Sequence, residues 1–151
     1  MQRVKITIDS HSKGLNAADR LQTIFFGQMT ERDGKYYVVY NENAVTGLEG
    51  TKTTIKWDET RIVIIRYGQL EHRQEFAQGL VDNSLYKTPY MVIPVVARTK
   101  SMDIACANGI WKLYIEYSTE IGGDTPNDIR LEIAIEEEKQ GEHKGNISTE
   151  H

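Results

Sequence analysis

Long apolar runs, a basic excess and paired cysteines are all missing from this sequence. Without an apolar run of about 20 residues, we expect no transmembrane helix. The first residues, Met1 to Lys5, lead directly into an alternating pattern and lack the apolar region of a signal peptide, which predicts a cytoplasmic protein. Because Cys106 is the single cysteine, no disulfide can form within the chain, in agreement with a reducing compartment.

The charge balance argues against a nucleic-acid partner. The formal net charge is -4 and the pI is about 5.6, whereas a protein that binds the phosphate backbone normally carries a basic patch. Part of the negative charge lies at Glu136-Glu137-Glu138, where a polar tail begins. We therefore predict one domain over residues 1–138 and a flexible, solvated tail over residues 139–151.

Recognisable catalytic and metal-binding motifs are missing too. The four histidines do not have the spacing of a two-histidine metal motif, and two of them lie in the tail. No glycine loop of the phosphate-binding type and no nucleophile elbow occurs. Cys106 has no recognisable base beside it, which favours a passive thiol in a loop. The sequence therefore predicts a protein without catalytic residues, metal or cofactor.

What the sequence does contain is alternation of apolar and polar residues with a period of two, typical of strands with one buried face. Asp33-Gly34 and Asn108-Gly109 predict tight hairpin turns between such runs. The alternating runs predict nine strands, at residues 4–8, 21–29, 36–40, 51–57, 62–67, 70–76, 91–97, 111–117 and 129–135. Residues 11–16 and 77–88 are expected to form loops, and Pro94 predicts an edge position or a bend in its strand.

Short antiparallel strands joined by hairpins are typical of an all-β sandwich or barrel. In a simple meander, nine strands would leave the first and the last parallel, whereas eight would let them pair antiparallel. We therefore expect a closed antiparallel up-and-down barrel of about eight strands, with one run bent, split or peripheral. A barrel of that size is filled by side chains or holds one small ligand.

Polar residues lie on rows that should face the core. His72 and Gln74 lie on the same row as Leu70 and Phe76, so if this row faces inward the interior carries an imidazole and a carboxamide. Arg66 shares a row with Ile62 and Ile64, and the opposite parity would turn it outward. Buried polar groups need partners in the wall, in water or in a ligand. His72 and Gln74 could bond across the strand or lie at a wet mouth, and Arg66 could stack on an aromatic ring or reach solvent.

Several short segments resemble the YwiB-like group of bacterial proteins of unknown function. They are Tyr40 with its following loop, residues 53–56, Arg66-Tyr67-Gly68, Gln74-Glu75-Phe76 with Gly79, and residues 86–90. The resemblance extends from about Val4 to Ile135. It implies a lipocalin-like (calycin) barrel and brings no catalytic residues, because the group has no established activity.

Our leading hypothesis is a non-enzymatic barrel that binds a small, partly apolar ligand in its interior. Polar groups would orient the ligand and aromatic rings would supply apolar contact; the candidate site residues are Arg66, His72, Gln74, Phe76, Tyr40, Trp57 and Trp111. Packing in the core is the alternative for the two tryptophans and the tyrosines. A second hypothesis is a packed interaction module or homodimer, suggested by residues 36–40, which are apolar on both faces. A third is a hydrolase or isomerase built around His72.

Overall fold

The computed structural model describes residues 1–13 and 18–139, and every regular element in these ranges is a β-strand. The predicted all-β class is confirmed. The strands are β1 (Gln2–Lys13), β2 (Ala18–Arg32), β3 (Lys35–Asn41), β4 (Thr51–Trp57), β5 (Ile62–Gly68), β6 (His72–Phe76), β7 (Val81–Lys87), β8 (Val92–Ala107), β9 (Ile110–Ile121) and β10 (Asn127–Glu137). The predicted count of about eight strands was too low, since the described residues form ten.

The ten strands form one antiparallel sheet in the order β6-β5-β4-β3-β2-β1-β10-β9-β8-β7. Neighbours in the chain are neighbours in the sheet, as in an up-and-down meander. An even number of strands makes the first and last antiparallel, and β1 pairs with β10 from Val4↔Glu137 to Lys13↔Asp128. The sheet thus curls into a nearly closed barrel whose two ends, β6 and β7, meet at a single backbone bridge.

The strand missing from the sequence prediction is β7, in a region expected to be a loop. Its residues do alternate between the two faces, but the inward row is mostly polar and the outward row includes the apolar residues. Asp82, Ser84 and Tyr86 are half-buried, whereas Val81 and Leu85 are exposed. Because alternation was read with the apolar residues inside, a strand with polar residues inside was not recognised.

Two further expectations were wrong in detail. The loop predicted for residues 11–16 begins later, because β1 continues through Lys13 in register with β2; residues 14–17 lie outside the described part of the chain. The bend expected at Pro94 occurs instead as a register shift between Thr99 and Ser101. Pro94 pairs with Leu85 of β7 on one side. On the other side, the ladder between β8 and β9 begins only at Val95. The missing N–H of Pro94 therefore removes no hydrogen bond from that ladder.

The two predicted hairpin turns are confirmed. Asp33 and Gly34 have φ values of 55° and 76°, and Asn108 and Gly109 have the same pair of values. Positive φ at both central residues matches the right-handed twist of the flanking strands, which is why Asp-Gly and Asn-Gly suit these positions. The turn after Ala107 leaves Cys106 exposed in β8, a strand position where a loop was expected.

The barrel interior is filled by one apolar core. Its members are apolar residues with almost no exposed surface, among them Ile6, Ile55, Leu113, Ile115 and Ile135. Burying one such side chain stabilises a fold by about 1.5–3 kcal/mol. The wall is tight here as well, since a Cβ on Gly27 would lie 2.3 Å from the carbonyl oxygen of Val39.

In the described ranges, no helix is long and apolar enough to cross a membrane. The last strand, β10, ends at Glu137, and the domain boundary after residue 138 stays a prediction. Of the predicted tail, residues 140–151 lie outside the described part of the chain.

Candidate functional site

The seam between β6 and β7 is the weakest lateral contact of the barrel wall. Glu71, just before β6, and Lys87, the last residue of β7, exchange two backbone hydrogen bonds of 2.8 and 2.9 Å. Further along, the backbone N–H of Glu75 donates to the side chain of Asp82 at 3.3 Å. Among the described residues no ladder joins these two strands, so backbone groups of both face a gap.

An open cleft of about 610 Å³ follows this seam. Its polar lining includes Arg66, His72, Asp82 and Ser84, which reach it from the inner face of the wall. Its apolar lining includes Ile65, Leu85, Pro94 and Val95. A cleft of this size, with a few converging polar groups in an apolar lining, is typical of sites for small molecules.

His72 faces inward at the seam and is 7% exposed. Its Nε2 lies 2.9 Å from the hydroxyl oxygen of Ser84, so the histidine finds a wall partner across the gap. The ring of Tyr86 meets the imidazole edge-on at 5.5 Å between centroids. Burial, assisted by the positive charge of Arg66, lowers the pKa of His72 from 6.5 to about 4. The imidazole is therefore neutral at pH 7, with one ring nitrogen donating and the other accepting.

The open question of which way Arg66 points is resolved by the strand register. Arg66 pairs with His72 across β5 and β6, so the two side chains share the inner face. A quarter of the Arg66 side chain is exposed, and its Nε lies 3.8 Å from a carboxylate oxygen of Glu42. This distance makes an ion pair but no hydrogen bond, and the buried Nε has no hydrogen-bond partner among the described residues.

Glu42, the partner of Arg66, is itself buried, with only 2% of its side chain exposed. Its two carboxylate oxygens accept hydrogen bonds from the hydroxyls of Thr53 at 2.5 Å and Thr46 at 3.0 Å. The two hydroxyl donors and the nearby guanidinium replace hydration that this carboxylate loses on burial. The polar end of the barrel is therefore built around one buried charge pair.

Two tyrosines border this charge pair. Burial and the negative charge of Glu42 raise the pKa of Tyr40, while Arg66 opposes the rise. Burial raises the pKa of Tyr117 to about 12, again against the effect of Arg66. Both hydroxyls therefore stay protonated at pH 7 and can act as hydrogen-bond donors.

The seven predicted site residues fall into two groups in the structure. Arg66 and His72 line the cleft, and Gln74 follows His72 on the same buried row. The other four belong to the packed core, where Tyr40 stacks on Phe25 at 4.4 Å between ring centroids. Phe76 contacts Tyr117 at 4.8 Å between ring centroids, and Trp57 and Trp111 contact each other at 5.6 Å.

Ser84, Asp82 and Glu42 were missed by the sequence reasoning. Ser84 and Asp82 lie on the unrecognised β7, so their inward direction could not be deduced. Glu42 continues the inward row of Val38 and Tyr40 by two residues, and that spacing was the available signal. The predicted strand ends at Tyr40, so the row does not reach Glu42.

The described residues contain no group of three or more histidine, cysteine or carboxylate side chains that could hold a metal ion. What the cleft offers is a guanidinium with unused donors, a neutral imidazole and a hydroxyl beside apolar surface. Such a set can orient a ligand by hydrogen bonds.

Comparison with known proteins places the chain in a family. A model described as "Domain of unknown function (DUF1934)" matches residues 4–133. The chain belongs to this family. Its fold is similar to that of the ywiB protein from Bacillus subtilis, known from a crystal structure, with a TM-score of 0.82 and 19% sequence identity over 91% of this chain and 93% of that one. No curated protein matches the chain. The resemblance to YwiB-like proteins seen in the sequence is thus confirmed.

Proposed function

We propose that this member of the DUF1934 family is a non-enzymatic, cytoplasmic protein that binds a small, partly apolar ligand in the seam cleft. The observation that supports this most is the convergence of Arg66, His72 and Ser84 on a cleft of about 610 Å³. Pockets for small ligands typically have volumes of roughly 300–1,000 Å³. The wall is least tightly joined at this point, so a ligand can enter with little disturbance of the core.

The cleft also explains why polar side chains replace apolar ones on inward rows. His72 and Ser84 bond to each other across the seam at 2.9 Å, which leaves the second nitrogen of the imidazole for a further contact. Next to them, Ile65, Leu85 and Pro94 present apolar surface. A ligand with one polar end and one apolar end fits this division better than a fully polar one.

The test is a metabolite screen that combines thermal unfolding with amide chemical shifts of the full chain. A ligand at a hundred times its dissociation constant stabilises the fold by about 2.7 kcal/mol. We expect the shifts to concentrate at Tyr67, His72 and Leu85, and the indole signal of Trp57 to stay in place.

A matched pair of variants on β7 separates cleft binding from surface binding. Leu85 and Val81 are each 50% exposed on the outer face, but only Leu85 lines the cleft. Leu85→Trp should fill the cleft and abolish ligand binding, whereas Val81→Trp should preserve it. Binding that survives in both variants, or a screen without any ligand, would contradict the proposal.

A second candidate is self-association through exposed apolar side chains. Tyr67 in the cleft lining is 72% exposed, and Tyr90 and Val92, where β7 turns into β8, are 92% and 58% exposed. Sedimentation of the wild-type chain over a range of concentrations separates the two candidates. A dimer that Leu85→Trp disrupts, together with an empty ligand screen, would favour the second one.

A further inference from the structure

Arg66 holds hydrogen-bond donors that the described protein leaves unused. A guanidinium carries five N–H donors. Its Nε is buried without a hydrogen-bond partner, and the nearest carboxylate oxygen lies 3.8 Å away, beyond hydrogen-bond length. The side chain also lines the seam cleft. A largely buried guanidinium with free donors and access to a cleft is suited to an oxygen acid from outside the chain.

The carboxylate of Glu42, behind Arg66, does not accept a hydrogen bond from the Arg66 Nε. Glu42 is stabilised by the hydroxyls of Thr53 and Thr46 at 2.5 and 3.0 Å. Glu42 therefore balances the charge of Arg66 from a distance and does not hydrogen-bond to its Nε. A carboxylate matches the planar fork of a guanidinium with two parallel hydrogen bonds.

The charges around the cleft indicate the number of charges on the ligand. Arg66, Arg73 and Lys87 contribute three cations to the lining, while Glu71 and Asp82 contribute two carboxylates. The lining alone is positive by one charge, but Glu42 behind Arg66 balances that charge. A dianion such as a phosphate monoester would therefore be repelled by Glu42 more strongly than a monoanion.

We propose that the seam cleft selects a small carboxylic acid, bound as its monoanion by the Arg66 guanidinium with its carbon skeleton against Leu85 and Pro94. This inference rests on the proposed function, because it names the class of ligand for the same cleft. Ser84 and His72 line the inner side of the cleft together with Arg66 and can contact a second polar group of the acid.

The experiment uses three probes with the same aromatic tail: 4-phenylbutanoate, its neutral amide, and 3-phenylpropyl phosphate. Each is titrated into the full wild-type chain, and dissociation constants are taken from chemical shifts, including the Nε–H signal of Arg66. We expect the acid to bind roughly tenfold or more tightly than the amide, because hydrogen bonds to charged groups are the stronger ones. The phosphate should bind more weakly than the acid.

Variants assign the preference to a residue. Arg66→Gln should remove the preference for the acid and leave the affinity for the amide nearly unchanged. Arg98→Gln is the matched control, since Arg98 pairs with Glu120 at 2.8 Å on the outer wall and does not line the cleft. If Arg66→Gln does not fold, Arg66→Lys should weaken the preference, because an ammonium lacks the planar fork. Glu42→Gln should strengthen acid binding, since it removes a competing negative charge.

Each outcome bears on one proposal. Equal affinity for acid and amide, with shifts in the cleft, would overturn the acid class and leave cleft binding intact. Tighter binding of the phosphate, or an acid preference that survives Arg66→Gln, would overturn it as well. If none of the three probes moves a cleft signal, the acid class is rejected for this tail, and the metabolite screen with Leu85→Trp decides the binding function separately.

Discussion

The barrel closes along two boundaries that differ in strength and composition. Between β1 and β10 the chain's first and last strands pair over ten positions, from Val4↔Glu137 to Lys13↔Asp128. Between β6 and β7, which are consecutive in the chain, one backbone bridge joins Glu71 and Lys87. The boundary that joins distant parts of the sequence is sealed, and the boundary that joins neighbouring parts is open.

The residues behind the two boundaries explain the difference. Behind β1 and β10 lie Ile6 and Ile135, which are at most 1% exposed and hold the strands together through burial. Behind the seam lie His72, Ser84 and Asp82, which need polar partners and cannot supply comparable apolar contact. The seam, where apolar packing does not close the wall, is therefore the better place for a ligand site.

Hydrogen exchange should show the largest difference between the two boundaries. The amides of Ile6 and Ile135 lie inside continuous ladders and should open only with global unfolding, at about 5–15 kcal/mol. The amides of Arg73 and Leu85 face the seam, on the same side of their strands as Glu71 and Lys87. They should exchange at a cost several kcal/mol lower. Equal protection at the four positions would show that the seam is closed in solution.

Truncation of one apolar residue at each boundary should have unequal effects on stability. Ile135→Ala should cost about 2–5 kcal/mol, because it leaves a cavity in the sealed wall. Leu85→Ala on the half-exposed outer face of the seam should change stability by no more than about 0.5 kcal/mol. Urea unfolding followed by tryptophan fluorescence measures both free energies. Similar losses for the two variants would contradict the contrast.

The seam should also make stability depend on pH. Folded His72 has a pKa of about 4, below the ordinary histidine pKa of 6.5, so as the pH falls the unfolded chain is protonated at this residue first. Stability from this group is present above pH 6.5 and falls as the pH drops toward 4, by up to about 3 kcal/mol at about 1.4 kcal/mol per unit. His72→Gln should lose this component of the pH dependence.

Two controls test whether His72 causes this pH dependence of stability. Ser84→Ala should keep most of the pH dependence, because burial and the charge of Arg66 are the causes of the lowered pKa. Imidazole chemical shifts of the wild-type chain report the titration of His72 directly. A midpoint near 6.5 for that ring would remove the basis of the prediction.

Much of the barrel could be predicted because most strands bury an apolar row. The runs around Val4, Ile55 and Leu113 alternate with apolar residues inside, and Asp33-Gly34 and Asn108-Gly109 mark their turns. The sequence also placed His72 and Gln74 on an inward row, and both are buried. Their partner strand β7 was missed because its inner residues are polar, which local alternation cannot distinguish from a loop.

The sequence by itself determined an all-β meander, its hairpin turns and the presence of polar groups on inward rows, because these follow from residue order along one or two strands. Only the tertiary structure decided that ten strands close the barrel, that Arg66 faces Glu42, and that His72 meets Ser84 across the seam. These features depend on the register between strands and on which groups share a low-dielectric interior. Neither is encoded in the spacing of a single segment.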